Sequence, residues 1–113
     1  MALSTKKQTK TGQVLAKKIK GKATRVAFLS DDEMRQLKII SITKNIGIKD
    51  LIDASLEKIM SCQNYKFKAI DVNAKKRSFV IEQERLQEMK IFLVGYDGVT
   101  QDKLIYNAVL EII

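Results

Sequence analysis

The sequence contains no histidine and no proline, and Cys62 is its one cysteine. Without histidine, and with a single thiol, the chain cannot assemble a zinc site or a nucleophile paired with a histidine base. One cysteine cannot form an internal disulfide, so we expect a reducing, cytoplasmic compartment and an inert Cys62. The remaining ionisable groups are scattered carboxylates and lysines, so we expect no enzymatic activity, no metal and no cofactor.

Long hydrophobic runs are also missing. No stretch approaches the ~20 apolar residues that cross a bilayer, and the N-terminus has no apolar signal core. Val14, Leu15 and Ile19 offer one amphipathic turn among lysines, which leaves a membrane-surface alternative. Three apolar side chains bury little surface, so we expect no membrane partner. The hydrophobic fraction of 45% is nevertheless enough for a folded core.

Acidic residues are absent from residues 1–30, which carry eight basic residues. Residues 31–113 contain 13 basic and 13 acidic residues, so the net charge of +8 belongs to the N-terminal segment. A cationic segment joined to a neutral region favours a polyanionic partner. A tail that only improves solubility is the alternative.

The chain contains one layout twice, at 24–61 and at 76–113, joined by 62–75. Each copy begins with a β-prone run (24–29 and 76–81) and continues with a charged helix, a turn and a helix with an apolar face. In the first copy Ser30 and Glu33 have the spacing of a capping box, whereas the second copy lacks a Ser/Thr cap. The apolar segment 62–75 is predicted to pack across the domain.

The turns and the last helices match between the copies. Asn45 and Gly98 suit the left-handed conformation that ends a helix, and Gly47 and Thr100 are the predicted N-caps of the last helices. The first halves of the copies align at an offset of 52 residues and the last helices at 53, where Leu51, Ile52, Leu56 and Ile59 match Leu104, Ile105, Val109 and Ile112.

A single strand leaves its backbone groups unpaired, and a two-stranded ribbon is marginal without helices against it. Two copies solve this problem by pairing their strands. The sequence therefore predicts a mainly α fold with a two-stranded antiparallel ribbon, in which the two copies form a pseudo-dimer within one chain.

This arrangement resembles the ribbon-helix-helix (MetJ/Arc-type) family of DNA-binding proteins. The resemblance rests on 25–30, Met34, Leu37, Asn45-Ile46-Gly47 and Leu51-Ile52, with their counterparts in the second copy. The tandem single-chain form is similar to the TraY-type conjugation accessory factors. The chain departs from many members in lacking proline between strand and helix, and in having apolar residues where polar base-reading residues are usual.

The resemblance implies that the ribbon lies in the major groove of double-stranded DNA and that alternate strand residues face the bases. Large apolar side chains at 79 and 81 favour an inward face of Ala27, Leu29, Phe79 and Ile81. The candidate base contacts are then Thr24, Val26, Phe28, Lys76, Ser78 and Val80. A shift of one residue would bury Val26 and Phe28 and turn Arg25 outward, so both registers stay open.

The resemblance also implies that the N-termini of the last helices hold phosphates. The candidate phosphate contacts there are Lys44, Gly47, Ile48, Lys49, Thr100 and Gln101, and Asp102 is expected to make the second site the weaker one. Further candidates are Arg25 and Arg77 at the strand starts and Lys17, Lys18, Lys20 and Lys22 in the basic arm, which we assign to 1–23 and expect to be disordered without DNA.

The implied role is that of a bacterial regulator of transcription or a plasmid or mobile-element transfer accessory factor. Further copies of the chain on DNA and a relaxase or transfer complex are the additional partners that this role suggests. The two strands differ in sequence, so we expect an asymmetric recognition element. An antitoxin-like protein-interaction module that represses its own operon is the alternative, and co-purification with a small toxin would favour it.

Overall fold

The computed structural model describes residues 21–113, which form four helices and one two-stranded sheet. The elements follow the chain as β1 (Lys22–Leu29), α1 (Asp31–Lys44), α2 (Ile48–Met60), β2 (Lys75–Glu82), α3 (Gln83–Leu93) and α4 (Gln101–Ile112). The predicted mainly α fold with an antiparallel ribbon is confirmed. The strand-helix-helix order occurs twice, as the repeat in the sequence predicted.

The two strands pair antiparallel in a register that centres on Val26 and Ser78. Ala27 and Leu29 of β1 are fully buried, and Phe79 and Ile81 of β2 are 6% and 3% exposed. These four side chains form the predicted inward face, because alternate residues of a strand point to opposite sides. β1 begins at Lys22, two residues earlier than predicted, so Lys22 and Ala23 belong to the ribbon and not to the arm.

The start of α1 carries the predicted capping box. Ser30 Oγ accepts the Glu33 amide at 3.1 Å, and Glu33 Oε1 accepts the Ser30 amide at 2.9 Å. The helix ends at Asn45, which has the left-handed conformation (φ 55°, ψ 43°) that asparagine tolerates well. These two caps fix the length of α1 and the turn that leads into α2.

The second copy departs from the repeat between its helices. α3 ends at Leu93, and seven residues separate it from α4, whereas three separate α1 from α2. Val94 and Gly95 are weak helix formers, and the Tyr96 ring packs against Phe67 and Phe92 at centroid distances of 5.3 and 4.7 Å. Gly98 is left-handed (φ 80°), but it lies in this longer loop and does not end the helix.

The core is built where α2 and α4 pack together under the ribbon. Leu56, Leu104 and Val109 are fully buried there. Ser55, which is 7% exposed, donates its hydroxyl to the Ala108 carbonyl at 2.6 Å, so its polar group is satisfied inside the core. On the ribbon side, α4 lies against β1, which joins the second copy to the strand of the first.

The segment between α2 and β2 packs along α4. Tyr65, Phe67 and Ile70 are partly buried against the core, whereas Val72 is 96% exposed. Asn107, with no exposed surface, accepts the Lys68 amide at 2.8 Å and donates to the Lys68 carbonyl at 3.1 Å. This buried amide fixes the path of an otherwise irregular segment.

Within residues 21–113, none of the helices combines the length and the apolar character that crossing a bilayer requires.

Candidate nucleic-acid interface

Within residues 21–113, the side chains of the outer face of the ribbon are exposed or partly exposed to solvent. The pairs across this face are Thr24 with Val80, Val26 with Ser78, and Phe28 with Lys76. Thr24, Lys76, Ser78 and Val80 are exposed, while Val26 and Phe28 are partly exposed. All six candidate base contacts therefore share one surface, and the alternative register, with Arg25 outward and Val26 buried, is not the one observed.

This face combines hydrogen-bonding and apolar groups. The side chains of Thr24, Lys76 and Ser78 make no hydrogen bond to another side chain or backbone group within 21–113. Val80 is 42% exposed and adds an apolar side chain to this face. The mixture suits a surface that must contact both polar groups and methyl groups, as the edges of bases in a major groove present.

Arg25 and Arg77, which lie inside the observed strands and not at their starts, differ in their surroundings. Arg77 Nη2 lies 2.7 Å from Asp31 Oδ1, and Lys75 Nζ lies 2.9 Å from Asp31 Oδ2. Hydrogen bonds from Lys75 and Arg77 hold the pKa of Asp31 below its usual value. Arg25, at the equivalent position in β1, donates to the Thr24 carbonyl at 3.0 Å and has no carboxylate partner within 21–113. Arg25 thus carries the more available charge.

The N-termini of α2 and α4 begin without a side-chain cap. Gly47 and Thr100 occupy the predicted N-cap positions with extended backbone conformations, yet neither helix start receives a side-chain hydrogen bond. The Thr100 hydroxyl does not cap α4, although threonine is a good N-cap residue. The first amides of both helices, those of Ile48 and Gln101 included, therefore lack a side-chain partner, as do those of α3, whereas the capping box closes the start of α1.

Lys49, at the start of α2, forms ion pairs with carboxylates of the protein. Its ammonium group lies 2.8 Å from Glu82 Oε2 and 3.7 Å from Asp50 Oδ1, and the hydrogen bond to Glu82 raises the pKa of Lys49. Lys44 is exposed and has no ion pair within the described residues. The expected weakness of the α4 start rested on Asp102, but Asp50 places an acid in the first turn of α2 as well. The exposed Lys44 remains a charge that favours the start of α2, so the inequality of the two sites stays a prediction.

A surface cavity of about 240 Å³ links the start of α2 with the edge of the ribbon. Its lining residues come from α1, α2 and β2: Met34, Ile48, Lys49, Ser78, Phe79 and Val80. The open amides of α2 consequently lie beside two of the candidate base contacts.

Three of the predicted phosphate contacts, Lys17, Lys18 and Lys20, lie outside the described residues. The ion pairs Asp31 with Arg77 and Lys49 with Glu82 were not predicted, although opposite charges at the ends of a predicted ribbon were visible in the sequence. Among residues 21–113 no cluster of three or more potential metal ligands is present.

Comparison of the chain with protein-family models, with curated proteins and with solved structures finds no match at a significant level.

Proposed function

We propose that the chain is a tandem ribbon-helix-helix pseudo-dimer that binds double-stranded DNA sequence-specifically through the outer face of its ribbon. The observation that carries the proposal is the register of the strands. Val26 and Ser78 are equivalent at the offset of 52, and they pair with each other in the middle of the ribbon. This pairing supports the proposal, because a local twofold axis that relates the two halves would pass through such a pair.

Contacts between α2 and α4 also support this twofold axis. Ser55 and Ala108 are equivalent at the offset of 53 and share a hydrogen bond. Lys58 and Glu111 are likewise equivalent, and their charged groups lie 3.8 Å apart. Contacts between equivalent residues occur next to a twofold axis, as they do in an isologous dimer.

Two contacts away from the axis are counterparts of each other. Tyr106 donates its hydroxyl to Glu33 Oε2 at 2.8 Å, and Arg85 Nε donates to Asp53 Oδ1 at 2.8 Å. Position 33 corresponds to 85, and position 106 corresponds to 53. The same helix-to-helix contact is therefore made twice with different chemistry, which supports a repeat of architecture whose sequences have diverged.

The DNA-binding part of the proposal follows from shape and chemistry. A two-stranded ribbon fits the major groove of B-form DNA. Lys76 and Ser78 offer donors for base edges, and Val26, Phe28 and Val80 offer apolar contact to thymine methyl groups. The open amides at the starts of α2 and α4 would hold phosphates on either side of the ribbon and fix its register on the duplex.

The role we infer is that of a transfer accessory factor of a plasmid or mobile element, or of a transcriptional regulator. Because the paired strands carry different outward side chains, each molecule should read an asymmetric element. Binding next to a nick site would favour the first role, and binding only at the promoter of its own gene the second.

The test is selection of binding sites from random duplexes, followed by titration of variants on the selected site and on unrelated DNA. Lys76→Ala should weaken binding to the selected site about tenfold or more, equivalent to about 1.4 kcal/mol, and should weaken unrelated DNA far less. Lys66→Ala removes an equal charge from the exposed segment between the halves and should leave the preference unchanged. No enrichment of any sequence by the unaltered protein would contradict the proposal.

A further inference from the structure

The segment between the two halves covers one face of α4. The Tyr65 amide donates to the Tyr96 hydroxyl at 3.1 Å, and the Tyr65 hydroxyl donates to Glu111 Oε2 at 2.7 Å. The side chain of Asn107 bonds to both backbone groups of Lys68. The residues of the second half that hold the segment by hydrogen bonds are therefore Tyr96, Asn107 and Glu111.

The matching face of α2 is uncovered within residues 21–113. A groove of about 230 Å³ lies there, and Lys44, Ala54 and Lys58 are among its lining residues. At the offsets of 52 and 53, these positions are the equivalents, in the same order, of the three residues that hold the segment in the second half. Ala54 is exposed, whereas its equivalent Asn107 is fully buried. Lys58 is paired with Glu111 at 3.8 Å, which leaves Lys44 as the open charge of the groove.

The twofold relation between the halves selects an occupant for this groove, a step that rests on the pseudo-dimer of the proposed function. The segment that runs into β2 covers α4, so the segment that runs into β1 should cover α2. At the offset of 52, Leu15 corresponds to Phe67. The same number of residues separates Leu15 from Val26 and Phe67 from Ser78, so the chain is long enough to follow the equivalent path.

The residues before β1 suit the groove. The aliphatic residues between positions 4 and 20 are Val14, Leu15, Ala16 and Ile19. Three of them are consecutive and fall at the positions expected to lie over the groove. Leu15 stands in place of an aromatic ring that packs on Tyr96 at a centroid distance of 5.3 Å. Lys44, the equivalent of Tyr96, has an aliphatic stem that can cover a leucine.

The charges beside the groove favour the same occupant. Asp50 and Glu57 lie about one turn before and after Ala54, and their side chains are 70% and 68% exposed. Each lies 3.7 Å from a base, Lys49 and Arg85 respectively, but those bases hold closer carboxylates. The lysines just before β1 would pass these two acids, so the path is favourable for a basic segment.

We propose that residues 13–19 pack in the groove on α2 of their own chain, as residues 65–71 pack on α4. The aliphatic residues then cover Ala54, and the lysines that follow lie near Asp50 and Glu57. The proposal gives this segment a place in the fold in the absence of DNA, where the sequence alone suggested a disordered arm. The remainder of the basic arm then leaves the domain beside α2 and not at the end of the ribbon.

Labelling of a cysteine in the groove tests the contact without DNA. In a Cys62→Ser background, the rate at which N-ethylmaleimide modifies Ala54→Cys is measured in the full chain. Adding Leu15→Asp should raise this rate about tenfold, because a carboxylate is not buried among aliphatic groups without a partner. Leu3→Asp, the same change outside the segment, should leave the rate unchanged. Equal rates in all three proteins would overturn the proposal.

Disulfide formation decides which chain supplies the segment. Lys68 lies against Asn107, so their equivalents Ala16 and Ala54 should lie together in the first half. With Ala16→Cys and Ala54→Cys in the Cys62→Ser background, oxidation at about micromolar concentration should give an internal disulfide at a rate independent of protein concentration. Disulfide-linked dimers would mean that a second copy fills the groove, and no disulfide would mean that the segment lies elsewhere; either result overturns the proposal.

The docking and the proposed function fail in different ways, because neither experiment contains DNA. If the protein selects no duplex, the DNA binding is overturned, and labelling and disulfide formation still decide the docking. Equal labelling rates together with a selected site overturn the docking alone. Circular dichroism should show unchanged folding for Ala54→Cys, an exposed position. The disulfide test uses no charged substitution, so it decides the docking even where Leu15→Asp unfolds the domain.

Discussion

Ser55 and Ala108 occupy equivalent positions in the two halves, and they are joined by a 2.6 Å hydrogen bond from the serine hydroxyl to the alanine carbonyl. The bond lies where α2 and α4 pack in the core. Only one member of the pair has a side chain that can donate, so the two halves differ chemically at the place where they touch. An alanine and a serine of similar size allow the helices to approach closely at this point.

Removing the Ser55 hydroxyl should destabilise the fold measurably. We expect Ser55→Ala to lower the free energy of unfolding by about 1 kcal/mol, the usual net value of a buried hydrogen bond. Ser61→Ala is the control, because the Ser61 hydroxyl donates to the Glu57 carbonyl at an exposed helix end. Urea denaturation should show a change within about 0.5 kcal/mol for that variant. Equal losses in the two variants would contradict a special role for the contact between α2 and α4.

A charge at the start of α4 should affect stability and DNA binding in opposite directions. Thr100→Asp supplies a capping side chain and an anion at the positive end of the helix, so we expect the free energy of unfolding to rise by about 0.5–1 kcal/mol. The same anion would repel a phosphate, so DNA affinity should fall several-fold.

The neutral variant Thr100→Asn separates capping from charge. It should stabilise α4 similarly and weaken DNA binding much less. Thermal unfolding and titration of a labelled duplex are the two measurements. DNA affinity that is equal in both variants would argue against a phosphate at this helix start.

Asp31 neutralises two bases at one end of the ribbon, so its removal should strengthen DNA binding. Asp31→Asn releases Arg77 and Lys75, and we expect affinity to rise several-fold at low salt, with a steeper salt dependence. Asp71→Asn, an equal change of charge in the exposed segment before β2, is the control and should have a smaller effect.

Arg25→Ala should lower the affinity for DNA more than Arg77→Ala does, because Arg25 has no carboxylate partner within 21–113.

The ion pairs of Asp31 should also contribute to the free energy of unfolding in a way that depends on pH. Bonds to Lys75 and Arg77 lower the pKa of Asp31 in the folded protein. The contribution is present above the unfolded pKa of about 3.9 and is lost as the pH falls through the lower folded value. The difference in unfolding midpoint between the unaltered protein and Asp31→Asn should therefore shrink below about pH 4. A difference that stays constant down to pH 2 would contradict this assignment.

Tyr106 should give a fall in stability at alkaline pH. Burial and the hydrogen bond to Glu33 raise the pKa of Tyr106 to about 12. A raised pKa stabilises the fold below the unfolded value of about 10, and this contribution disappears as the pH rises from about 10 to about 12. Tyr106→Phe lacks the titrating group, so its deficit in stability should be greatest below about pH 10 and should narrow above it. Urea denaturation across this range measures the difference.

The sequence was most informative where a local rule decides the structure. Ser30 and Glu33 form a capping box through neighbouring backbone groups, and Asn45 ends a helix by its own conformational preference. The inward face of the ribbon followed from the alternation of large apolar residues at 79 and 81. In each case the signal lies within a few residues, so no knowledge of the remainder of the fold was required.

Features that depend on distant residues were missed. The early end of α3 coincides with the packing of Tyr96 against Phe67, a contact between residues far apart in the sequence. The binding of Lys49 by Glu82 requires the start of α2 to lie beside the end of β2.

The segment between α2 and β2, which hydrogen bonds between Asn107 and Lys68 hold along α4, also connects the two strands of the ribbon within one chain. Both strands belong to one polypeptide, so formation of the ribbon is a unimolecular event whose equilibrium is unaffected by dilution. A ribbon made from two separate chains would dissociate at very low abundance. In this protein one chain carries both unlike strands, so they stay linked at any abundance.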